Sequence, residues 1–264
     1  MMRVLPIFLV SFISFTARAQ KMPTATDWFE RGKELTGKGA YLEATVALRN
    51  ALALDKYFDS AYLQMADAFG RINKGDSAVL YLRKLAKLRP QSKAANLSIA
   101  NIYKNVISDV DSALLYYKKT LQLDSTDKTV WCNIAWCYNA QKKYDDAIFH
   151  AIKSLDIDNK YRPAYGELGH AYHQSQRYAE GIEQFKKNLA VSVVDLPIYY
   201  TALCYMMLKD TDNAMKQYEE LKRVNEKLAE GLKKRIDKML QPADTPQSQQ
   251  PLQTPAAPAG TKGQ

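Results

Sequence analysis

The sequence predicts an all-α solenoid, in which about six helix-turn-helix units stack side by side and one further helix covers the end of the stack. Three observations predict it. The chain of 264 residues has only 11 Gly and 10 Pro, and five of the prolines follow residue 240, so the body contains few helix breakers. The body repeats at intervals of 34, 34, 35, 34 and 33 residues, the length of a helix-turn-helix unit. Small residues also recur at two fixed positions of every unit.

The first 19 residues have the pattern of a secretory signal peptide. Arg3 precedes an apolar run from Val4 to Phe15, and Ala17-Arg18-Ala19 is a small-x-small cleavage signal. The run of about 12 residues is shorter than the roughly 20 that a membrane-spanning helix needs, which disfavours an uncleaved anchor. We therefore expect cleavage between Ala19 and Gln20, a short leader over residues 20–24, and export, first of all to a bacterial periplasm.

The six predicted repeats share their small residues. They span residues 25–58, 59–92, 93–127, 128–161, 162–194 and 195–226. Their eighth residues are Gly32, Ala66, Ala100, Ala135, Gly169 and Ala202. Their twentieth residues are Ala44, Ala78, Ala113 (one residue late), Ala147, Gly181 and Ala214. We interpret both positions as the points where the two helices of a unit cross, since a larger side chain there would push the backbones apart.

Larger residues recur at the fourth, eleventh and twenty-fourth positions of each repeat, at spacings that place them on one helical stripe. Asn96 and Ala151 are the weak members of this stripe. Short polar segments separate the two helices of each repeat, as in Gly37-Lys38-Gly39. The segment over residues 104–109 is one residue longer than the others, so we expect its turn to bulge slightly.

These positions resemble the tetratricopeptide repeat (TPR), whose motif is an aromatic, then Leu-Gly, Tyr, Ala, Phe, Ala and often Pro. The fifth repeat matches it closely at Tyr165, Leu168-Gly169, Tyr172, Gly181 and Phe185. The fourth repeat does so at Trp131, Ile134-Ala135, Tyr138 and Ala147, and the second at Pro90. The resemblance covers residues 25–226 and implies a right-handed superhelix whose first helices line a concave groove. The carboxylate clamp of some TPR co-chaperones is absent, because Pro163 and Glu167 stand where it needs cations.

Two segments follow the repeats. Residues 227–240 place Leu228, Leu232, Ile236 and Met239 on one face and Lys and Arg on the other, which predicts a capping helix; the alternative is an amphipathic helix at a membrane surface. Residues 241–264 are rich in Pro and Gln and contain no aromatic residue, so we expect a disordered tail.

The resemblance implies that a protein or peptide ligand lies in the concave groove. The inward positions of each repeat are the second, fifth, ninth and twelfth. We expect the ligand to contact the inward residues from the third to the sixth repeat: Asn101, Lys104, Cys132, Trp136, Asn139, His170, His173, Tyr199 and Met206. Aromatic residues and adaptable Met are typical of partner-binding surfaces. The alternative is that the superhelix closes and these groups pack on one another.

A second interpretation is a periplasmic protein that binds a metal or a small ligand. His170 and His173 share a helix face, and Cys132 could approach from the neighbouring repeat to complete part of a zinc site. We expect two groove-lining imidazoles instead, no metal and no cofactor. His150 lies on a second helix and is expected to face solvent. Cys132 and Cys137 are five residues apart, too far around one helix to form a disulfide.

The function predicted from the sequence is therefore a non-catalytic interaction scaffold of the bacterial cell envelope. No phosphate-binding loop, no G-x-S-x-G motif and no H-E-x-x-H motif occurs in the chain. The formal charge is +9, or +7 without Arg3 and Arg18. Nucleic acid is an improbable partner for an exported protein, and this positive charge leaves anionic lipid and acidic peptides as alternative partners. No segment after the signal is predicted to span a membrane. A third interpretation is self-association through the cap or the groove, which would give a homo-oligomer.

Overall fold

The computed structural model describes residues 22–191 and 194–240. Within these ranges the chain forms thirteen α-helices, one π-helical turn and no β-strand, which confirms the all-α prediction. The helices are α1 (Ala25–Gly37), α2 (Tyr41–Leu54), α3 (Asp59–Arg71), α4 (Gly75–Leu88), α5 (Lys93–Ile102), α6 (Val110–Leu123), α7 (Lys128–Ala140), α8 (Tyr144–Ile157), α9 (Arg162–Gln174), α10 (Tyr178–Val191), α11 (Asp195–Met207), α12 (Thr211–Val224) and α13 (Glu226–Leu240). The predicted signal peptide and tail lie outside the described residues.

The first helix of each pair begins at the residue where the sequence repeat begins: Ala25, Asp59, Lys93, Lys128, Arg162 and Asp195. Side chains fix several of these starts. Thr24 and Asp27 form a capping box, in which the Thr24 hydroxyl accepts from the Asp27 amide at 3.2 Å and Asp27 accepts from the Thr24 amide at 2.7 Å. Ser92 and Asp127 cap α5 and α7 in the same way, by accepting from amides of the first turn.

The turn inside each repeat uses one left-handed residue, at the fifteenth position. These residues are Gly39, Asn73, Ser108 (one residue late), Lys142, Gln176 and Lys209, with φ between 57° and 76°. The next amide in each turn donates to the carbonyl of the eleventh residue, for example Lys143 to Tyr138 at 2.9 Å and Arg177 to Tyr172 at 2.8 Å. This is the Schellman arrangement, which satisfies carbonyls at the helix end and reverses the chain within a few residues.

The extra residue of the third repeat is accommodated at the end of its first helix. Residues Tyr103–Ile107 form a π-helical turn, and Ser108 then adopts the left-handed conformation at φ 63°. A single inserted residue commonly enters a helix as one π turn, because the wider turn preserves the backbone hydrogen bonds on either side. The predicted bulge is therefore present, but as a wider helical turn that precedes the reversal.

The small residues of the repeat lie where the two helices of a pair meet. All twelve are buried. A Cβ atom added to Gly32 would lie 2.6 Å from Leu48 Cγ, and one added to Gly169 would lie 2.6 Å from Phe185 Cε1. In both cases the eighth residue faces the twenty-fourth residue of the same repeat. The interpretation of these positions as close helix crossings agrees with these contacts.

The described residues fall into two compact units, one that ends at Tyr116 and one that begins at Tyr117. In the first unit, Leu48, Met65, Leu82 and Ile99 are fully buried in one apolar cluster contributed by α2 to α5. Burial of side chains of this size stabilises a fold by about 1.5–3 kcal/mol each before chain entropy is subtracted. The weak member Asn96 is buried too, and its Nδ2 donates to the Ser92 carbonyl at 3.3 Å.

In the second unit, α7 to α12 form three further antiparallel pairs and α13 packs on α11 and α12. Leu232 and Ile236 of α13 are fully buried against a cluster that contains Ile198 and Leu221. Asn225 caps α13 by accepting from the Leu228 amide at 3.1 Å, and its Nδ2 donates to Asp195 at 2.7 Å. The helix at residues 226–240 thus uses its apolar face for packing on the last pair. None of the described helices combines the length and the apolar character needed to cross a bilayer.

Candidate functional site

The second unit contains a pocket of about 430 Å³ between its first helices. Its lining residues come from α7, α9, α10 and α11: Trp136, Asn139, Ala140, Gly166, Glu167, His170, Phe185, Leu196, Pro197 and Tyr200. A volume in this range accommodates a side chain or a small ligand, and most of the lining is aromatic or aliphatic. Three predicted groove residues, Trp136, Asn139 and His170, line this pocket.

Gly166 contributes backbone rather than a side chain to the pocket lining. It occupies the fifth position of its repeat, where other repeats carry larger side chains such as Cys132 and Tyr199. A Cβ atom at Gly166 would already lie 3.3 Å from Asn188 Nδ2, so the wall behind it is close. The absence of a side chain at Gly166 therefore permits the close approach of α9 to Asn188 of α10.

Asn139 connects α7 to α9 at the polar end of the pocket. Its Nδ2 donates to the Glu167 carbonyl at 3.0 Å and to Glu167 Oε2 at 2.8 Å. Because both bonds come from the nitrogen, the orientation of the amide is fixed. Asn139 is 7% exposed, and its Oδ1 is buried with no hydrogen-bond donor. The amide thus positions the Glu167 carboxylate, and its oxygen is an unused acceptor.

Tyr200 is the residue that organises the aromatic wall. Its ring stacks on Phe185 at a centroid distance of 5.7 Å and meets the ring of His170 edge-on at 5.6 Å. It also lies 5.9 Å from the ring of His173. Contacts of this kind fix ring positions beyond simple burial. The sequence pattern predicts Tyr199 for this role, and the structure places Tyr200 in it.

The other predicted residues of the second unit lie away from this pocket. Tyr199 and Met206 pack on the cluster of the last repeat and the cap, and Arg235 of α13 lies over the Tyr199 ring at 6.0 Å. Cys132 is buried in α7, where its thiol is closed to a ligand. In the first unit, Asn101 is partly buried in α5 and Lys104 lies in the π-helical turn.

The cysteine beside His173 is Cys204, not Cys132. Cys204 Sγ lies 3.5 Å from His173 Nδ1, and burial raises the pKa of the Cys204 thiol to about 12. Burial lowers the pKa of His173, and the neighbouring His170 lowers it further. Both groups are therefore neutral at pH 7, unlike a reactive thiolate–imidazolium pair. The three cysteines are all buried as thiols and none forms a disulfide, so Cys132 and Cys137 do not bridge.

The zinc interpretation is not supported. Within residues 22–191 and 194–240, no group of three or more His, Cys, Asp or Glu side chains is placed to hold a metal ion. His170 and His173 contact aromatic rings instead, and Cys132 does not join them. The structure therefore does not assemble the metal site suggested by His170, His173 and Cys132.

The observed position of His150 contradicts the expectation that this side chain faces solvent. Its ring lies among those of Trp131, Tyr138 and Phe149, at centroid distances of 5.5, 4.9 and 5.1 Å. Its Nδ1 lies 2.8 Å from the Asp146 carbonyl, and burial lowers its pKa. The side chain is therefore half-buried among aromatic residues of α7 and α8.

All three histidines of the chain have a lowered pKa, each chiefly because it is buried. As the pH falls below about 6.5, the unfolded chain takes up protons before the folded chain does, so acid favours unfolding. We expect the melting temperature to fall between about pH 7 and pH 5, a window in which unperturbed carboxylates are still ionised. The measurement is a set of thermal melts over this range.

The control for this pH effect is the triple variant His150→Gln, His170→Gln and His173→Gln, which contains no imidazole. Its melting temperature is expected to depend less on pH across the same window. Equal slopes for the two proteins would assign the acid sensitivity to groups other than these histidines.

Family models described as tetratricopeptide repeat match residues 60–92 and 198–224 with one model and residues 129–161 and 163–190 with another. A search of curated proteins gives no match. Among solved structures, PilW, a type IV pilus biogenesis factor, is 18% identical with a TM-score of 0.69 over 80% of this chain and 98% of its own. A tetratricopeptide-repeat protein from Parabacteroides merdae is 16% identical with a TM-score of 0.70, over 81% and 85% of the two chains.

A third similar structure is YrrB, a TPR protein with an unusual peptide-binding site. It is 15% identical with a TM-score of 0.58, over 71% of this chain and 98% of its own. At these sequence identities, the similarities are evidence for a shared fold of the helix pairs alone.

Proposed function

We propose that this chain, which is a tetratricopeptide-repeat protein, is a non-catalytic scaffold that binds an extended segment of a partner protein in the pocket between α7, α9 and α11. The observation that carries the proposal is the pocket itself. It has an aromatic wall around Tyr200, an exposed flank of Leu196 and a polar end at Asn139 and Glu167. Interfaces obtain most of their affinity from such buried aromatic anchors.

The composition of the pocket favours binding over catalysis. The cysteine and the two histidines nearest to it are held neutral, and no metal-binding cluster occurs among the described residues. A catalytic site needs an activated nucleophile, acid or base with a partner that orients it. The groups present instead offer ring surface, one carboxylate and amide groups, which suits recognition of a polypeptide.

The cellular setting we propose is the bacterial envelope. Residues 1–19 carry the signal-peptide pattern, and PilW, which shares the fold, is a pilus biogenesis factor. Export predicts a mature protein that begins at Gln20. Mass spectrometry of the protein purified from its native cells tests this directly, and an intact N-terminal segment would count against the envelope assignment.

Peptide binding is tested with the purified full-length mature chain and a phage library of random ten-residue peptides. Peptides that the protein enriches are synthesised with a fluorophore, and their Kd values are measured by anisotropy. We expect Trp136→Ala to weaken binding by at least about tenfold, because truncating a central aromatic anchor commonly costs more than 1.4 kcal/mol.

The matched control is Phe149→Ala. Phe149 is also an aromatic residue of the second unit, but it lies on the second helix α8 and is 52% exposed. The Phe149→Ala protein is expected to bind the same peptides with unchanged affinity. Enrichment of no peptide, or equal weakening by the two variants, would overturn the assignment of the pocket as the binding site.

A further inference from the structure

We propose that the exposed side of the second helices in the first unit is an interface with a second copy of this chain. We call this surface the outer face; it lies on α2, on α4 and on the beginning of α6. Two features of the outer face carry the proposal, a row of exposed apolar residues and the order of the charges on either side of that row. The interface is separate from the proposed function, because the binding pocket belongs to the second unit.

The apolar row is the twenty-second residue of each of the first three repeats: Val46, Leu80 and Leu115 (one residue late). These side chains are 55%, 54% and 52% exposed. The same position holds Glu183 and Lys216 in the last two repeats, so the folding of a helix pair does not require an apolar residue there. Equivalent positions in a repeat stack share one face, and exposed apolar residues that share a face are typical of an interaction surface.

The charges on the outer face follow one order, with an acidic residue one turn before the row and a basic residue one turn after it. In α2, Glu43 and Arg49 stand three residues before and three residues after the row. In α4, Asp76 and Lys84 stand four residues before and four residues after it. Spacings of three and four keep these residues on the same side of the helix as the row. All four are exposed, and within the described part of the chain none of them belongs to an ion pair.

This order of charges is self-complementary. A two-fold axis that follows the row, across the helices, places each apolar residue against its own copy and makes the facing helices antiparallel. The acidic side of one copy then faces the basic side of the other, with Glu43 opposite Arg49 and Asp76 opposite Lys84. A two-fold axis parallel to the helices would place acid opposite acid, which is unfavourable. The charges therefore favour a second copy in one orientation.

The dimer is expected to be weak and reversible. Exposed ion pairs contribute little each, so most of the affinity comes from the apolar residues along the axis. A short row of this kind is smaller than the standard interface, which takes about 20–30 residues from each partner. A membrane of anionic lipid is a less suitable occupant, because the acidic side of the outer face would be repelled from it.

Sedimentation equilibrium of the purified mature chain, from about 1 μM to about 1 mM, measures the dimer. The average mass is expected to rise from that of one copy towards that of two. In Leu80→Glu two carboxylates would meet at the axis, so the dissociation constant of the dimer is expected to rise at least about tenfold. The matched control is Leu208→Glu, because Leu208 is a leucine of the second unit with a similar exposure of 48%. This control is expected to leave the dissociation constant unchanged.

Charge reversal tests the orientation of the two copies. Glu43→Lys is expected to raise the dissociation constant about fivefold, because the symmetry places the new cation opposite Arg49 twice in each dimer. Adding Arg49→Glu to the same chain reverses both sides of α2 and is expected to restore the affinity of the unaltered protein. An acidic partner or an anionic membrane would instead bind Glu43→Lys more tightly.

Cross-linking tests the same orientation without a charge change. In Leu80→Cys the two introduced thiols would face each other across the axis, at about the 8–10 Å that separates packed helices. The native cysteines are buried thiols. A bismaleimide of about that length is expected to give a covalent dimer of Leu80→Cys and none of Leu208→Cys.

Four results would overturn the proposal. The first is the mass of a single copy over the whole concentration range, and the second is an equal effect of Leu80→Glu and Leu208→Glu on the dimer. The third is a double variant, Glu43→Lys with Arg49→Glu, that associates no better than Glu43→Lys alone. The fourth is binding to phosphatidylglycerol vesicles that Glu43→Lys strengthens, without a dimer in solution, which would assign the outer face to a membrane.

Discussion

Replacing Leu232 with Asp is expected to detach α13 from the second unit and to lower the free energy of unfolding by about 4 kcal/mol or more. The side chain is fully buried, and it packs in the cluster that contains Ile198 and Leu221. Truncation of a buried Leu alone costs about 2–5 kcal/mol, and the carboxylate adds a desolvation cost because it would enter an apolar cluster. Thermal and urea unfolding of the full-length protein measure the change.

The control for this prediction is Gly231→Asp, which introduces the same carboxylate one residue earlier. Gly231 is exposed, and a Cβ atom there would meet nothing within 4 Å. It is therefore expected to leave the melting temperature nearly unchanged. Hydrogen exchange should show the loss of protection in α11 to α13 of the Leu232→Asp protein, since a repeat stack opens first at its uncovered end. Similar melts for the two variants would show that α13 does not act as a cap.

The positions where helices cross could be predicted from the sequence, because backbone proximity permits only small residues there. Gly32, Ala135 and Gly169 share a position in the repeat, and all are buried. The apolar face of the last helix could be predicted for a similar reason, since Leu228, Leu232 and Ile236 follow the helical period and contact one cluster. In both cases a repeated local pattern reports a repeated contact.

The turns could be predicted only in part. The left-handed fifteenth position is Gly39 in the first repeat and Asn73 in the second, both residue types that favour this conformation. In later repeats it is Lys142, Gln176 and Lys209, which carry no such preference. There the Schellman hydrogen bonds and the packing of the helix pair impose the conformation, so single residues give no signal.

The site could be predicted less well than the fold, because its geometry depends on differences between repeats. The fixed inward positions predict Tyr199, but Tyr200 at the next position contacts Phe185 and His170. The same rule predicts an exposed Asn139, whereas this residue is buried and bonded to Glu167. A contact between neighbouring repeats, such as that of His173 with Cys204, produces no recurring spacing that could be recognised in a single sequence.

Enlarging Gly169 is expected to destabilise the second unit in proportion to the side chain added. In Gly169→Ala the Cβ atom would lie 2.6 Å from Phe185 Cε1 and 2.8 Å from Phe185 Cδ1, so either the ring or the helix must move. Overpacking of this kind costs about 1–3 kcal/mol, which exceeds the roughly 1 kcal/mol that Ala gains over Gly in a helix. Gly169→Leu is expected to cost about 3 kcal/mol or more, since the three further carbons beyond Cβ have no space.

Gly231→Ala, in the same unit, is expected to change the stability in the opposite direction. Nothing lies within 4 Å of its added Cβ, so the variant is expected to stabilise the protein by about 0.5–1 kcal/mol. A Gly169→Ala protein that melts as high as Gly231→Ala would show that α9 and α10 do not meet closely at this point.

The Gly169 variants should also weaken peptide binding, because Phe185 both faces Gly169 and lines the pocket beside Tyr200. Binding and stability are thus coupled through the Phe185 ring. In the Gly169→Ala background, Phe185→Leu makes room for the added methyl group, so it should recover part of the stability but not the peptide affinity.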